Sequence, residues 1–344
     1  MAFRVQHSKL VELRGHLHRA LQYALTYNWT REMSRSRRAI TWAGILIQGY
    51  AIYAGLTRSL VWPFRWPQGP SLYVIVWFLY VLGTAIVNGL LTAEFVRKTQ
   101  LETDQIAARQ IQESLQRPEV GSVREYEFET FYRPFRQVGG DYFDLIQLPG
   151  DRMLLVVADV SGKGTPAALL AANMQALVRT AAVADTDLVG LVTRINKHLA
   201  RYTPQNRFAT AVFVLLNSAS GNFDYVNAGH NPAVLFSASS ATLLEATGLP
   251  LGLFDGSSYV CRTSQLAPGT ALLAFTDGLT DSIQATEPER RLGDTLVAAA
   301  AESDSAGKIM SKVQALVNMN LVEDDIAVVL LARGGAGRAE PVCA

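Results

Sequence analysis

The sequence predicts an α+β sandwich of antiparallel sheets flanked by helices, preceded by a two-helix transmembrane hairpin and a linker helix. Three observations lead there. Beyond Val123, short apolar segments recur at hairpin spacing, with turn residues between them. The helical stretches among them come in clustered pairs and do not alternate singly with strands, which argues against a regular βαβ series. Two uncharged apolar runs precede all of this, and the 49% apolar content of the 344 residues supports a sizeable core.

Residues 1–38 form a basic segment, with eight Lys/Arg (Arg4, Lys9, Arg14, Arg19, Arg31, Arg35, Arg37, Arg38) against Glu12 and Glu32. Within it, Leu10, Leu13, Leu17, Leu21 and Ala24 recur at helical spacing across residues 8–27. That amphipathic helix suits either a membrane face or a partner helix. Residues 39–57 and 71–93 carry no charge over 19 and 23 residues. As helices they span roughly 28 and 34 Å, against a hydrocarbon core of about 30 Å. Trp62, Trp66 and three prolines in the connector 58–70 suit an interfacial turn. The bias of Lys/Arg places both termini in the cytoplasm, with a multi-pass anchor. The basic segment then reads as a membrane flank, and no nucleic-acid partner is expected.

Residues 94–119 are charged and lack glycine and internal proline up to Pro118, with Leu101, Ala108 and Leu115 seven apart and Ile111 between them. That pattern predicts a short coiled-coil seam, weakened by Asp104, and hence a homodimer through the linker helix. The strands expected next are 126–133, 142–147 and 153–160, the last two joined over Pro149-Gly150-Asp151-Arg152. Helices 166–183 and 188–202 follow, then strands 208–216, 223–228, 233–236, 259–263 and 271–275. Helices 290–302 and 306–320 and a final strand 325–331 complete the domain 120–332, and 333–344 reads as a disordered tail. The two cysteines, Cys261 and Cys343, offer neither a disulfide framework nor a CxxC pair.

The chemistry concentrates in acids at or beside strand ends: Asp141, Asp159, Asp277 and Asp324. An Asp before Gly is commonly a turn residue. Four in this one context, on strands able to face each other, point instead to a shared site for hard cations, because carboxylate oxygens are the ligands magnesium and manganese prefer.

Six ordered motifs carry a resemblance: Val138-Gly-Gly-Asp-Tyr-Phe-Asp144, Asp159-Val-Ser-Gly-Lys-Gly164, Asn227-Ala-Gly-His-Asn-Pro232, Gly248-Leu-Pro-Leu-Gly252, Thr276-Asp-Gly-Leu-Thr280 and Asp324-Asp-Ile326. Together, residues 105–332 resemble the bacterial stage II sporulation protein E branch of the metal-dependent protein phosphatases (type 2C family). Ala108–Leu115 is similar to the signalling helix that commonly leads into that domain. The resemblance implies an α-β-β-α sandwich with two Mn2+ or Mg2+ ions in the cleft between the sheets. Asp159 would bridge both ions, with the Val160 carbonyl as a further ligand; Asp277 and Asp324 would hold one ion, Asp141 would lie at the other, and Asp325 would support them. A water activated there attacks phosphorus in line and releases a serine or threonine hydroxyl. The partner implied is a phosphorylated regulatory protein, such as an anti-sigma-factor antagonist.

Several residues near the motifs admit two readings. Lys163 either meets a phosphate or is merely exposed; His230 is a proton donor or a turn residue; Thr276 orients Asp277 or satisfies a strand end. Asp144 and Asp281 read as salt-bridge or solvent residues, and Gly139 and Gly140 as bulge formers. Ser161 stands where better-known type 2C enzymes carry a candidate general acid. Gly162–Ala167 matches a dinucleotide-binding pattern only loosely, no P-loop fits, and Asp159 excludes a nucleophile elbow at Ser161. The rival function is a catalytically inactive membrane scaffold that binds a phosphoprotein, though clustered acids repel phosphate unless metals neutralise them.

Overall fold

The computed structural model describes residues 42–46, 49–50, 53, 71–116, 122–183, 187–204 and 206–335. The chain divides into two compact units, Met1–Asp104 and Gln105–Ala344.

Helix α1, Ser71–Leu115, runs 45 residues without a break, so the expected span 71–93 and most of the linker 94–119 are one helix. No proline interrupts it. The hydroxyls of Thr84, Thr92, Thr99 and Thr103 each donate to the carbonyl four residues earlier, which satisfies them within the helix. Among the described residues this is the one helix long and apolar enough to cross a membrane. Ile75, Trp77, Phe78, Val81 and Leu82 stand exposed on it. The described residues therefore support one candidate span, and the expected two-helix, multi-pass hairpin is not among them. Of the first run, only 42–46, 49–50 and 53 are described, each helical. The amphipathic segment 8–27, the connector 58–70 and the tail from 336 onward lie outside the described residues.

The described residues of the second unit form eleven strands and five further helices: β1 Ser122–Val123, β2 Tyr126–Arg133, β3 Tyr142–Leu148, β4 Arg152–Val160, α2 Thr165–Ala181, α3 Leu188–Tyr202, β5 Ala209–Asn217, β6 Asn222–Ala228, β7 Ala233–Phe236, β8 Ala241–Leu244, β9 Arg262–Gln265, β10 Ala271–Phe275, α4 Asp277–Asp281, α5 Pro288–Glu302, α6 Ala306–Leu316 and β11 Ile326–Arg333. One sheet runs β1-β2-β11-β10-β7-β8 and the other β3-β4-β5-β6-β9, with every strand pairing antiparallel. Alternation along β4 shows how the layers form. Leu154, Val156, Ala158 and Val160 pack with Met174 of α2 and Ile195 of α3. Met153, Leu155 and Val157 pack instead with Val329 and Leu331 of β11, between the sheets. A third core joins β10 and β11 to Leu296 of α5 and Ile309 of α6. The order is α-β-β-α, as the resemblance implied.

The β3–β4 turn places Gly150 and Asp151 at φ 77° and 57°, left-handed backbone that favours glycine and tolerates aspartate. The strand expected at 259–263 is displaced. Its pairing segment is Arg262–Gln265, while Tyr259 bridges to Gly248 and lays its ring where a Cβ on that glycine would be, 2.4 Å from Cδ1. Helix α6 stops at Leu316 because Val317 pairs with Ile283.

Asp144 is buried and chelated by Arg179 of α2, Nε to Oδ2 at 2.7 Å and an Nη to Oδ1 at 2.9 Å. Tyr142 adds its hydroxyl at 3.1 Å. This ion pair ties α2 to β3, the strand next to the one that carries Asp159. Arg179→Met should destabilise the chain by about 3 kcal/mol in urea unfolding, the low end for a buried pair because the arginine is one-third exposed.

Candidate metal centre

Antiparallel pairing gathers the acids before any side chain is considered. Tyr142 opposes Ala158, so Asp141, just before β3, lies beside Asp159 near the end of β4. Phe275 opposes Val328, so Asp277, just after β10, lies beside Asp324 and Asp325, just before β11. The two pairs belong to facing sheets and open at the same end of the sandwich.

The side chains respond to that crowding. Burial, followed by the charges of Asp277, Asp324 and Asp325, pushes Asp159 up to about 7. Asp141 is raised well above the carboxylate range by burial and then by Asp159. Asp277 is raised by burial, then by Asp281 and Asp324. Each shift has the sign expected when acids share a site without enough positive charge.

Two contacts fix the ends of the strands. Thr276 donates from Oγ1 to Asp141 Oδ2 at 2.6 Å and accepts the Ala327 N–H at 2.9 Å, linking the two sheets. It therefore orients Asp141, where the sequence offered Asp277 or a strand end. Asp325 accepts the N–H groups of Phe135 at 2.7 Å and Gly140 at 2.6 Å, which holds the loop carrying Asp141. Gly139 and Gly140 serve close approach: a Cβ on Gly139 would stand 2.5 Å from the Tyr132 hydroxyl, and one on Gly140 would stand 3.0 Å from the Val160 carbonyl oxygen.

Other candidates separate from the chemistry. Ser161 Oγ accepts the Phe208 N–H at 2.9 Å, and its backbone N–H donates to Phe208, closing the β4–β5 edge. His230 is a buried turn residue. Its backbone N–H donates to Asn227 Oδ1 at 2.7 Å, its Nδ1 lies 2.8 Å from Thr210 Oγ1, and burial lowers its pKa to about 4. Asp144 takes the salt bridge already described, and Asp281 bears on the site through its charge on Asp277. Lys163 is neither merely exposed nor free: its Nζ sits 2.7 Å from Asp324 Oδ2.

Sequence reasoning missed Gln112 and Gln116 at the end of α1. Gln112 Nε2 donates to the Gly139 carbonyl at 2.7 Å, while its Oε1 accepts the Gly139 N–H at 3.0 Å. Gln116 Nε2 donates to the Asp141 carbonyl at 2.6 Å, and Gln175 of α2 donates to the Leu115 carbonyl. The available signal was two glutamines four apart on the inward face of a seam whose Ile111 and Leu115 remain exposed.

The donors are all carboxylate oxygens and their charges are under-compensated, so the residues fit a hard divalent cation. Among the described residues no three His, Cys, Asp or Glu side chains yet converge closely enough to hold one ion. Asp141 is turned to Thr276 and Asp324 to Lys163.

Residues 149–334 match the family model of stage II sporulation protein E (SpoIIE). The chain is 28% identical over 181 residues to phosphoserine phosphatase RsbP of Bacillus subtilis, covering 51% of this chain and 44% of that protein. It spans less than half the length of the curated relatives it matches. Among solved structures, the RsbU and RsbW domains of Rv1364c from Mycobacterium tuberculosis align at 27% identity and a TM-score of 0.56, over 64% of this chain and 62% of that one. RsbX in complex with magnesium shares the fold, at 19% identity and a TM-score of 0.51, over 62% and 98%.

Two outcomes follow from this geometry. Thr276→Val leaves the Ala327 N–H and Asp141 without their shared partner and should cost about 1–3 kcal/mol in urea unfolding. Folded Asp159 holds its proton more tightly than the unfolded chain does, so in chelator the stability falls as pH rises from about 4 through 7. Melting curves at pH 5 and pH 7 should separate further for the wild type than for Asp159→Asn.

Proposed function

Because the chain belongs to the stage II sporulation protein E (SpoIIE) family, we propose that it is a metal-dependent phosphoprotein phosphatase acting on phosphoserine or phosphothreonine of a regulatory protein. The observation that carries this reading is the crowding of Asp159, Asp277 and Asp324 at the open end between the sheets, with Asp159 pushed to about 7. An acidic cluster that repels phosphate has a use once divalent cations occupy it. Asp159 would be shared by two ions, Mn2+ or Mg2+, with the Val160 carbonyl as a further ligand; Asp277 and Asp324 would hold one ion, and Asp141 would lie at the other. When bound, the ions supply Lewis-acid activation of water and neutralise charge on the phosphoryl group.

The chain's own residues do the positioning. Thr276 fixes Asp141, and Asp325 fixes the Phe135–Gly140 loop behind it. Ser161 is committed to its contacts with Phe208 and His230 is buried beside Thr210, so neither is placed to protonate the departing oxygen. Water replaces the serine or threonine oxygen on phosphorus, and the freed hydroxyl leaves with a proton.

The RsbP relative, named a phosphoserine phosphatase, supports phosphoserine as the group removed; a regulator of the anti-sigma-factor-antagonist type is the substrate that the motif resemblance implies. The apolar part of α1 serves as a membrane anchor, with the phosphatase domain 120–332 in the cytoplasm. The exposed Leu101, Ile111 and Leu115 suit a homodimer seam along the linker 94–119. Since Gln112 and Gln116 grip the backbone of Gly139 and Asp141, a change in that seam reaches the site directly.

Manganese-dependent hydrolysis of an aryl phosphate by the purified chain tests the reading. Asp159→Asn and Asp277→Asn should each lower the rate by at least about 100-fold, beyond the effect typical of groups that only support metal ligands. Equal silence of wild type and variants across metal concentrations would favour the scaffold function instead.

A further inference from the structure

Lys163 lies in the short loop between Asp159 and α2, where it meets residues flanking β2 and β11 of the other sheet. Its Nζ is 2.7 Å from Asp324 Oδ2 and donates to the Glu323 carbonyl at 2.8 Å. The ammonium also stands 5.5 Å from the centre of the Phe135 ring, within cation–π range. Gly162 and Gly164 on either side have φ 94° and 75°, left-handed backbone that turns the loop tip across the cleft. The loop's base is pinned separately, by Ser161 to Phe208 and by Arg207 donating to the Ser161 carbonyl at 2.6 Å. A fixed base and a tip bound to the far sheet make the loop a strap over the acids. Its ammonium is also the cation that offsets the raised pKa values of Asp159, Asp277 and Asp325.

We propose that Lys163 is a built-in competitor for a divalent ion: it occupies the charge position at Asp324 and must leave before that carboxylate can ligate metal. This rests on the reading of Asp324 as a metal ligand. Loading of the metal and release of the Ser161–Gly164 loop then become one event. The loop leads directly into α2, the helix that also receives the end of α1 through Gln175. The two states differ in one exchange, an ammonium for a divalent cation at the same oxygen, and the ion gains only what remains after displacing the lysine. Both partners are partly exposed, with side-chain accessibilities of 41% and 38%, so the competition is modest and the exchange readily reversed.

Manganese titration of the full chain by calorimetry separates this inference from the one beneath it. Lys163→Met keeps the apolar stem and removes the charge, and should tighten the weaker manganese site by roughly two- to fivefold, the scale of a partly exposed ion pair. Lys163→Arg, which keeps the charge, should bind as the wild type does. A single cooperative melting transition in chelator verifies that each variant is folded. Lys163→Met binding manganese no more tightly than wild type, or Lys163→Arg gaining as much as Lys163→Met, overturns the competitor role while leaving the metal centre standing. Failure of the wild type to bind manganese at all overturns both.

Discussion

Mutual repulsion among carboxylates is the constraint around which this domain is built. Asp141, Asp159, Asp277 and Asp324 are brought to one end of the sandwich by strand pairing, and burial denies Asp141, and in part Asp159, the water that would screen them. Left alone, such a cluster would relax by splaying the strand ends. The apolar layer between the sheets, Val157 and Val212 against Val329 and Ala327, opposes that. Thr276 and Asp325 finish the work where the core ends, by tying one sheet to the backbone or carboxylate of the other.

The same contacts make the site responsive. Asp141 is held on three sides, by Thr276, by the loop that Asp325 organises, and by Gln116 on its carbonyl. The last of these belongs to the helix that leads into the domain. A glutamine side chain bonded to both the N–H and the carbonyl of Gly139 behaves like an extra strand residue. It ties the helix to the loop directly, outside the core.

Most elements were legible because their residues alternate or recur over enough positions to set a face. Strands 126–133, 233–236 and 271–275 and helix 188–202 fall where the pattern put them. The misses share a cause. β8 and β9 are edge strands whose side chains are largely exposed, and Arg262-Thr-Ser-Gln265 contains no apolar residue to mark it. Helix α4 is five residues long and begins at Asp277, which the sequence shows only as an acid before glycine. Glutamine contacts to backbone are equally silent, since any exposed helix carries glutamines.

The sequence by itself determined the sandwich class, the four candidate carboxylates and the family, because strand patterning and short motifs are local and survive without knowledge of what packs where. Tertiary structure alone decided the partners: Thr276 turned to Asp141, Lys163 latched to Asp324, Gln112 and Gln116 gripping the loop. Each of these contacts joins residues from 25 to 161 positions apart. Their energies depend on distance and desolvation at a junction of sheets, and neither quantity is written in the order of residues along a chain.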